Sequence, residues 1–430
     1  MKISYISQYF PPEMGAPAAR AAELSRHWAS LGHEVTVLTG FPNHPTGIVP
    51  AEYHRQFRRL VGRERIDGVN VVRTWLLPFP NRKAYERMLN YSSFCISAAS
   101  TGLFLSRPDV VIATSPQLLV GLSGWWLARW KRVPFVFEVR DLWPESLSAT
   151  GVCTANSPLY KSLAKIVGFL YRRADRVVVV TSAFEDYLVE HWQVPREKIS
   201  VIENGVEIQL FSPGPATLLR RELGTEGKFI VAYIGTMGMA HGLEAFLAAA
   251  AKMQDTNPEI IFMLLGEGAE KERIVALARE HSLNNVRFID QQPREKIPSY
   301  ICASDVCLVP LKKSDLFKTV IPTKMLEFMS CARPVILGVD GQARKILEDA
   351  RGGLVVEPEN VDALVNAIRY LAANREIAEA FGRNGREYIV RKLSRRQSAE
   401  KYIRVLQHLL KLREMRQTGS CRVDNFPQAG

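Results

Sequence analysis

The sequence predicts two doubly wound α/β domains in tandem, and three observations carry that expectation. At 430 residues the chain exceeds what one hydrophobic core usually serves. Short runs rich in Val and Ile alternate with segments of helical periodicity, the pattern of a parallel sheet joined by crossover helices. The alternation then starts afresh after Asn204-Gly205.

In the first half the expected strands are Ile3-Ser7, Glu34-Thr39, Val69-Arg73, Asp109-Thr114, Phe135-Val139, Arg176-Thr181 and Ile199-Ile202. They are largely apolar, as strands covered on both faces must be. Helices are expected between them at Ala18-Leu31, Leu118-Trp130, Pro158-Arg173 and Ala183-Trp192. Residues 1–205 should then form the first domain. The second set of strands is Phe229-Ile234, Ile260-Leu265, Val286-Ile289, Val306-Pro310, Pro334-Leu337 and Leu354-Val356, which gives a second domain over 206–394. Between Ile208 and Gly227 lie Pro213, Gly214 and Pro215, a composition that suits a linker. The last helix, Arg395 to Met415, places Tyr402, Val405, Leu406, Leu409, Leu410 and Leu412 on one face. It is long enough to return to the first domain, so segment 395–418 is expected to complete that domain, with Gly419 to Gly430 frayed. Ligands of such sheets sit at the carboxyl ends of the strands, so two facing sheets put the site in the cleft between them.

The composition, 47% hydrophobic and 23% charged, is that of an ordinary globular protein. The net charge of +12 attracts polyanions. Arg55, Arg58, Arg59, Arg63 and Arg65 form one basic cluster, and Arg82, Lys83 and Arg87 another. Either is a solvated surface or a contact for an anionic membrane. Nucleic acid is not an expected partner, since no helix-turn-helix, zinc or aromatic RNA-binding signature is present. Cys95, Cys153, Cys302, Cys307, Cys331 and Cys421 are scattered without a C-x-x-C pair, which fits a reducing cytoplasm. Met1 to Ile6 reads as a strand and not as a signal peptide. Two uncharged windows, Met88 to Ser106 and Val110 to Ala128, are interrupted by serines or by Pro116. A spanning helix needs about 20 mostly apolar residues, so both windows are read as buried structure, with peripheral membrane contact as the lesser alternative. Trp125-Trp126 and Trp130-Lys131-Arg132, with the basic clusters, suggest contact with an anionic membrane, and a buried helix end is the alternative.

Four places carry candidate chemistry. The first loop, Gln8 to Pro17, contains Gly15, where backbone can approach a ligand beside a helix start with unpaired N–H groups. The bland alternative is a tight strand-to-helix connection. After Phe135-Val139 come Arg140 and Asp141, suited to a phosphate and to a proton or substrate hydroxyl. Here the alternative is an Arg-Asp pair capping a turn. In the second half Gly235 to Gly242 follows a strand and opens a helix, with enough glycine to cradle a phosphate. Within it His241 reads as a helix-start residue before it reads as a base. Gly266-Glu267-Gly268 ends the next strand but lacks the third glycine of a dinucleotide fingerprint.

The fourth and most informative place is Pro322 to Ile336. Pro322 and Thr323 mark a helix start. Met325, Phe328, Met329 and Ala332 share one face, and Lys324 with Glu327 lie away from it. Glu327 is one residue too late to form a capping box with Thr323. The helix start and Lys324 can neutralise a diphosphate, and Glu327 can accept both hydroxyls of a ribose. An exposed Lys-Glu pair, a few tenths of a kcal/mol, is the alternative.

These residues resemble family 4 of the retaining GT-B glycosyltransferases over nearly the whole chain. The resemblance rests on Pro11 to Gly15, Asn204-Gly205-Val206, Gly266-Glu267-Gly268, and Pro322-Thr323-Lys324 through Glu327 to Pro334-Val335-Ile336. The stretch Val139 to Glu145 looks like a bacterial branch that includes fucosaminyltransferases of O-antigen and capsule assembly. The resemblance implies two Rossmann-like domains facing a closing cleft, with the nucleotide on the C-terminal one. It implies ribose at Glu327, diphosphate at Thr323 and Lys324, and Gly15 approaching from the other domain. Gly235, Gly266 and Glu267 join the expected donor side, with Arg140 and Asp141 at the reacting end. It further implies a UDP-linked donor, front-face attack, no metal and no cofactor. The expected sugar is N-acetylfucosamine, passed to a polyprenyl-linked glycan at the inner face of the cell membrane. Three positions depart from the family pattern. Thr319 stands where a sugar-side glutamate is usual, His241 is the only basic residue in its loop, and Arg140 replaces a histidine.

Two rivals share the architecture. A nucleotide-sugar 2-epimerase would convert the donor alone, and a two-lobed sugar-binding protein would turn nothing over. A dehydrogenase is disfavoured by the missing glycine fingerprint.

Overall fold

The structure is a computed structural model that describes residues 1–80, 83–149, 154 and 156–417. Arg82, Cys153, Cys421, position 418 of the closing helix and the segment expected to fray lie outside the described residues.

Among the described residues fourteen strands form two sheets. The first holds β1 (Lys2–Ile6), β2 (Glu34–Gly40), β3 (Val61–Ile66), β4 (Val69–Thr74), β5 (Val110–Thr114), β6 (Phe135–Val139), β7 (Arg176–Val179) and β8 (Ile199–Val201), in the order β3-β4-β2-β1-β5-β6-β7-β8. The second holds β9 (Phe229–Ile234), β10 (Ile260–Leu265), β11 (Val286–Ile289), β12 (Val306–Pro310), β13 (Val335–Gly338) and β14 (Gly353–Val355), in the order β11-β10-β9-β12-β13-β14. Every pairing is parallel except β3 with β4. Both orders place a crossover helix on each side of the sheet and leave a switch point, at β1/β5 and at β9/β12, where ligands of such folds collect.

The principal helices are α1 (Ala16–Ser30), α2 (Ala84–Leu103), α3 (Val120–Lys131), α4 (Pro158–Arg173), α5 (Ser182–Trp192), α6 (Leu243–Met253), α7 (Lys271–Glu280), α8 (Thr323–Ser330), α9 (Gln342–Ala350), α10 (Val361–Ala373), α11 (Arg375–Lys392) and α12 (Arg395–Gln417). Alternate residues of the central strands serve opposite faces. Ile3 and Tyr5 meet Leu24 and Trp28 of α1 and Tyr402 and Leu406 of α12. Val111 and Ala113 face Phe94 of α2, Leu127 of α3 and Leu170 of α4. In the second sheet Ile230 and Ala232 meet Met325 and Phe328 of α8, while Val231 and Tyr233 meet Phe246 of α6 and Ile368 of α10.

Three expectations are corrected. β3 was not foreseen, because Arg63, Glu64 and Arg65 give it no apolar run. It is an edge strand, and edge strands carry charge to avoid pairing with other chains. The stretch from Ile208 to Gly227 is not a free linker. Phe211 is fully buried, a short helix forms over Thr217–Glu222, and Arg220 pairs with Asp305 at 2.8 Å. The window Met88 to Ser106 is not buried structure throughout: α2 buries Phe94 and Ala98 but exposes Leu89 and Ile96.

The chain passes between the sheets twice, side by side. Val206 N–H donates to Leu393 O, and Arg395 N–H donates to Val206 O. A Cβ on Gly205 would stand 2.6 Å from the Ser394 backbone, so the two crossings need glycine there. Beyond the second crossing α12 packs on α1, where the Trp28 ring meets Tyr402 at 5.1 Å.

Candidate active site

The carboxyl ends of β1 and β6 bring together the candidates of the first half. Gly15 caps α1 at φ 124°, a backbone state that strains any side chain. The loop before it is tethered by Glu13, whose Oε1 accepts from the backbone N–H groups of Asn43 and His44, each at 3.0 Å. Burial pushes the Glu13 carboxyl up to about 7, against the pull of those N–H donors.

Arg140 leaves the end of β6 and reaches the same turn. Its Nη2 donates to Ala16 O at 3.2 Å, and its backbone N–H donates to Ser115 Oγ at 2.7 Å. The residue therefore clamps the start of α1 and does not form the turn-capping pair with Asp141. Burial lowers its pKa to about 10, and neighbouring Arg20 acts in the same direction. Beneath it lies a buried ion pair, Arg20 to Glu138 at 2.8 Å, with Tyr5 donating to Glu138 at 2.8 Å. Asp141 stands half-buried beside Arg140, and burial raises its carboxyl to about 6 against the Arg140 charge.

The second half contributes glycines, a lysine and a carboxylate. Gly235 ends β9, and a Cβ there would meet Lys324 Nζ at 2.8 Å. Gly266 ends β10 at φ 145°, where a Cβ would lie 2.0 Å from Gly235 O. Both positions exclude side chains so that two loops and one lysine can share the same space. Glu267 directs its carboxylate away, to an ion pair with Lys271. What it adds to the loop is its carbonyl, which accepts from Met237 N–H at 2.8 Å. His241 is held by Gly238 and is kept neutral, with a pKa near 3, by burial and by the Lys324 charge.

α8 supplies Thr323, Lys324 and Glu327. Thr323 is its first residue, and Pro322 at the cap offers no side-chain acceptor. The N–H groups of Thr323 and Lys324 therefore have no partner inside the helix, while Met325 N–H donates to Pro322 O at 3.0 Å. Lys324 donates to the Tyr233 hydroxyl at 2.8 Å and lies over that ring at 4.1 Å. Burial pulls its pKa down to about 7, with the Glu327 charge opposing. Glu327 does not form a surface pair with Lys324; its Oε1 accepts from Arg294 Nη1 at 3.1 Å. Its carboxyl is pushed up by burial and pulled back by Arg294.

Arg294, in the turn after β11, is the residue that the sequence did not disclose. Its Nη2 donates to Glu23 Oε1 of α1 at 2.7 Å, and Arg395 Nε donates to Glu23 Oε2 at 2.7 Å. Its guanidinium also lies over the Phe211 ring at 4.9 Å. Burial works against this charge, but Glu327 and Glu23 outweigh it and hold the pKa above its ordinary value. A ladder of alternating charge, Glu327–Arg294–Glu23–Arg395, thus joins α8 to α1 and to the start of α12. The only available signal was a cation just past a strand end, on the loop side where ligands bind. Thr319, at the position of the absent sugar-side acid, accepts a hydrogen bond from Thr181 Oγ1 at 3.0 Å through its carbonyl.

The arrangement offers an anion two backbone loops, a helix start and one lysine, and offers a diol one carboxylate. Comparisons with known proteins identify the family of the two domains. A model of glycosyl transferase 4-like domains matches residues 15–205, and one of glycosyl transferases group 1 matches residues 216–388. The chain is similar to WcaI of Escherichia coli, described as a putative colanic acid biosynthesis glycosyl transferase. The identity is 24%, over 86% of this chain and 91% of that protein. In fold it is similar to sucrose-phosphate synthase of Thermosynechococcus elongatus, at TM-score 0.76 and 22% identity, covering 96% of this chain and 99% of that one. It is also similar to HepE of Anabaena in complex with UDP-glucose, at TM-score 0.69 and 17% identity, covering 95% and 100%. With both domain models matched in order along two Rossmann-like sheets, the chain belongs to the family 4 type of GT-B glycosyltransferases.

Proposed function

We propose that the protein transfers a sugar from a UDP-linked donor to a polyprenyl-linked glycan at the inner face of the cell membrane, with retention of configuration. The reaction belongs, in this reading, to bacterial surface polysaccharide synthesis, and N-acetylfucosamine is the sugar that the Val139 to Glu145 resemblance favours. One observation carries the donor assignment: Gly235, Gly266 and Lys324 meet at one point beside the start of α8, with Glu327 one turn further on. Names of relatives support a UDP-linked donor and polysaccharide synthesis, since HepE is described with UDP-glucose and WcaI with colanic acid biosynthesis.

In this mechanism Glu327 accepts the ribose hydroxyls, while Lys324, the Thr323 helix end and the loop N–H groups meet the diphosphate. Gly15 closes on the diphosphate from the other sheet. The bond between the anomeric carbon and the phosphate oxygen breaks, and charge grows on that oxygen where fixed cations and N–H groups already point. The acceptor hydroxyl attacks the same face and passes its proton to the departing phosphate. Asp141 orients the acceptor hydroxyl, and Arg140 holds the Gly15 turn in reach. No metal takes part, so turnover should be unchanged by EDTA; a loss restored by Mg²⁺ would overturn that point.

The decisive experiment is calorimetric titration of UDP into the wild type and Glu327→Gln. An exposed bystander would leave affinity unchanged, which would end the donor assignment. Turnover followed by NMR from UDP-sugar without acceptor should give no epimer at C2. If Asp141 acts as the carboxylate, kcat should fall as pH drops through about 6 and be lost in Asp141→Asn.

A further inference from the structure

One face of the first sheet is built unlike the rest of the surface. α2 turns Tyr85, Leu89 and Ile96 outward, at spacings of four and seven residues that keep them on one side of the helix. Ile96 is 69% exposed, and Phe104, just past the helix end, is 85% exposed. The adjacent α3 adds Trp126 and Trp130, one turn apart and stacked with ring centroids at 6.3 Å, with Trp130 61% exposed. Lys131 fixes the two helices together by donating to Leu103 O and Leu105 O, each at 2.7 Å. Rows of large apolar side chains left in contact with water mark a surface that something covers.

Charge decides what covers it. In the sequences of α2, α3 and α4 the one acid is Glu86, whose carboxylate accepts from Lys83 N–H at the start of α2. Against it stand exposed Arg129, Lys161, Lys165, Arg172 and Arg173. Arg132, at the end of α3, adds another exposed cation. Tryptophan and tyrosine beside an aliphatic row, on three helices that carry lysine and arginine and a single carboxylate, match an anionic lipid headgroup layer. Among the described residues no helix is long and apolar enough to cross a membrane, so the contact is interfacial.

The position of α2 relates this face to the cleft. Buried Asn90, one residue past exposed Leu89, accepts from Gln8 Nε2 of the first loop, so the Tyr85–Leu89 end lies at the carboxyl ends of the strands. Phe104 lies at the opposite ends, among residues that include Lys2, Ile3, Glu34 and Glu64, so the acid-poor part of the face is the part nearer the cleft. The row is therefore about 30 Å long, one 20-residue helix, and runs outward from the mouth of the site.

We infer that this face docks on an anionic bilayer leaflet, with α2 lying along the surface and its first turns carrying the cleft mouth to the headgroup plane. The inference deepens the reading of a lipid-linked acceptor, and rests on it for what the docking achieves. The surface itself stands on the exposed row and the missing acids.

Flotation of the purified full chain tests it, with vesicles of phosphatidylethanolamine and phosphatidylglycerol against vesicles of phosphatidylcholine alone. At about 0.1 M salt the chain should float with the anionic vesicles only, and at about 1 M salt it should be released. Trp126→Ser/Trp130→Ser and Ile96→Glu should each lower partition about tenfold. Lys161→Glu/Lys165→Glu should lower it about fivefold per cation removed. All three variants should bind UDP as the wild type does, which shows that they are folded. Absence of flotation, or flotation indifferent to these variants, overturns the inference. So does a wild-type dimer in solution that the tryptophan variants split, since a second copy would then be the occupant. Vesicle binding without transfer to any lipid-linked acceptor sinks the acceptor reading and leaves the docking face standing. Transfer to such an acceptor in detergent by a chain that ignores vesicles does the reverse.

Discussion

Lys324 is poised to change its charge when a ligand arrives. Burial holds its pKa near 7, and a diphosphate beside it would raise that value. The sign follows directly. At pH 6 the ammonium is already charged and binding takes up little proton; at pH 8 it is mostly neutral, and UDP binding should take up close to one. Calorimetry at about pH 8 in buffers of different ionisation enthalpy measures this, and a buffer-independent heat would refute it. Lys324→Met should weaken UDP binding by about 1.5–3 kcal/mol, the usual worth of a hydrogen bond to a charged group. Arg294 supports a second prediction. Because it holds Glu327 and Glu23 at once, Glu23→Gln, in α1 beside the first sheet, should weaken UDP binding about fivefold. In an Arg294→Gln background the same change should do nothing further, and simple additivity in that double-mutant cycle would show that no coupling passes through Arg294. Lys324 and Glu327 were legible in the sequence because they share a helix. Arg294 was not, since 33 residues separate it from Glu327 and only the folded sheet closes that gap.

At the scale of elements, the strands of the second sheet could be read almost residue for residue. Phe229–Ile234, Ile260–Leu265 and Val306–Pro310 are apolar runs bounded by polar or turn residues, and burial on both faces demands that composition. β3 escaped because an edge strand gains from charge, which erases the signal. The outward row of α2 was legible only as a second reading, because the uncharged window from Met88 suggests a buried helix before it suggests a surface contact. Glycine loops behave as their pattern suggests, with a reason that only packing supplies. Gly266→Ala would drive a Cβ to 2.0 Å from Gly235 O at a φ that favours glycine. The backbone strain alone is about 1–3 kcal/mol. A lowered melting temperature together with lost UDP binding is expected; an unchanged melt would contradict the geometry.

The whole molecule is held by its two chain crossings and by what α12 does after the second. α1 lays a charged row along this junction. Arg20 donates to Asn204 at 2.8 Å, Glu23 meets Arg294 and Arg395, and His27 contacts Glu207 at 2.7 Å. The loops of both sheets are thus tied to the segment where the chain crosses between them. α12 buries Tyr402, Ile403 and Leu406 against the first sheet. Leu406→Ala should cost about 2–5 kcal/mol in denaturant unfolding, as for other fully buried leucines. A loss under about 0.5 kcal/mol, the range of surface substitutions, would mean that the helix adds little to the first half's stability.

Periodicity and composition by themselves determined the doubly wound class, the strand order of events along the chain, and the helix that carries Lys324 and Glu327. These are local properties: a strand buried on both faces must be apolar, and a helix displays its faces every three to four residues. The tertiary structure alone decided that Glu327 is gripped by Arg294, that Arg140 clamps the Gly15 turn, and that Leu89, Ile96 and the two tryptophans face outward together. Each of those depends on which distant segments a sheet brings side by side, and distance in space leaves no mark on a single sequence.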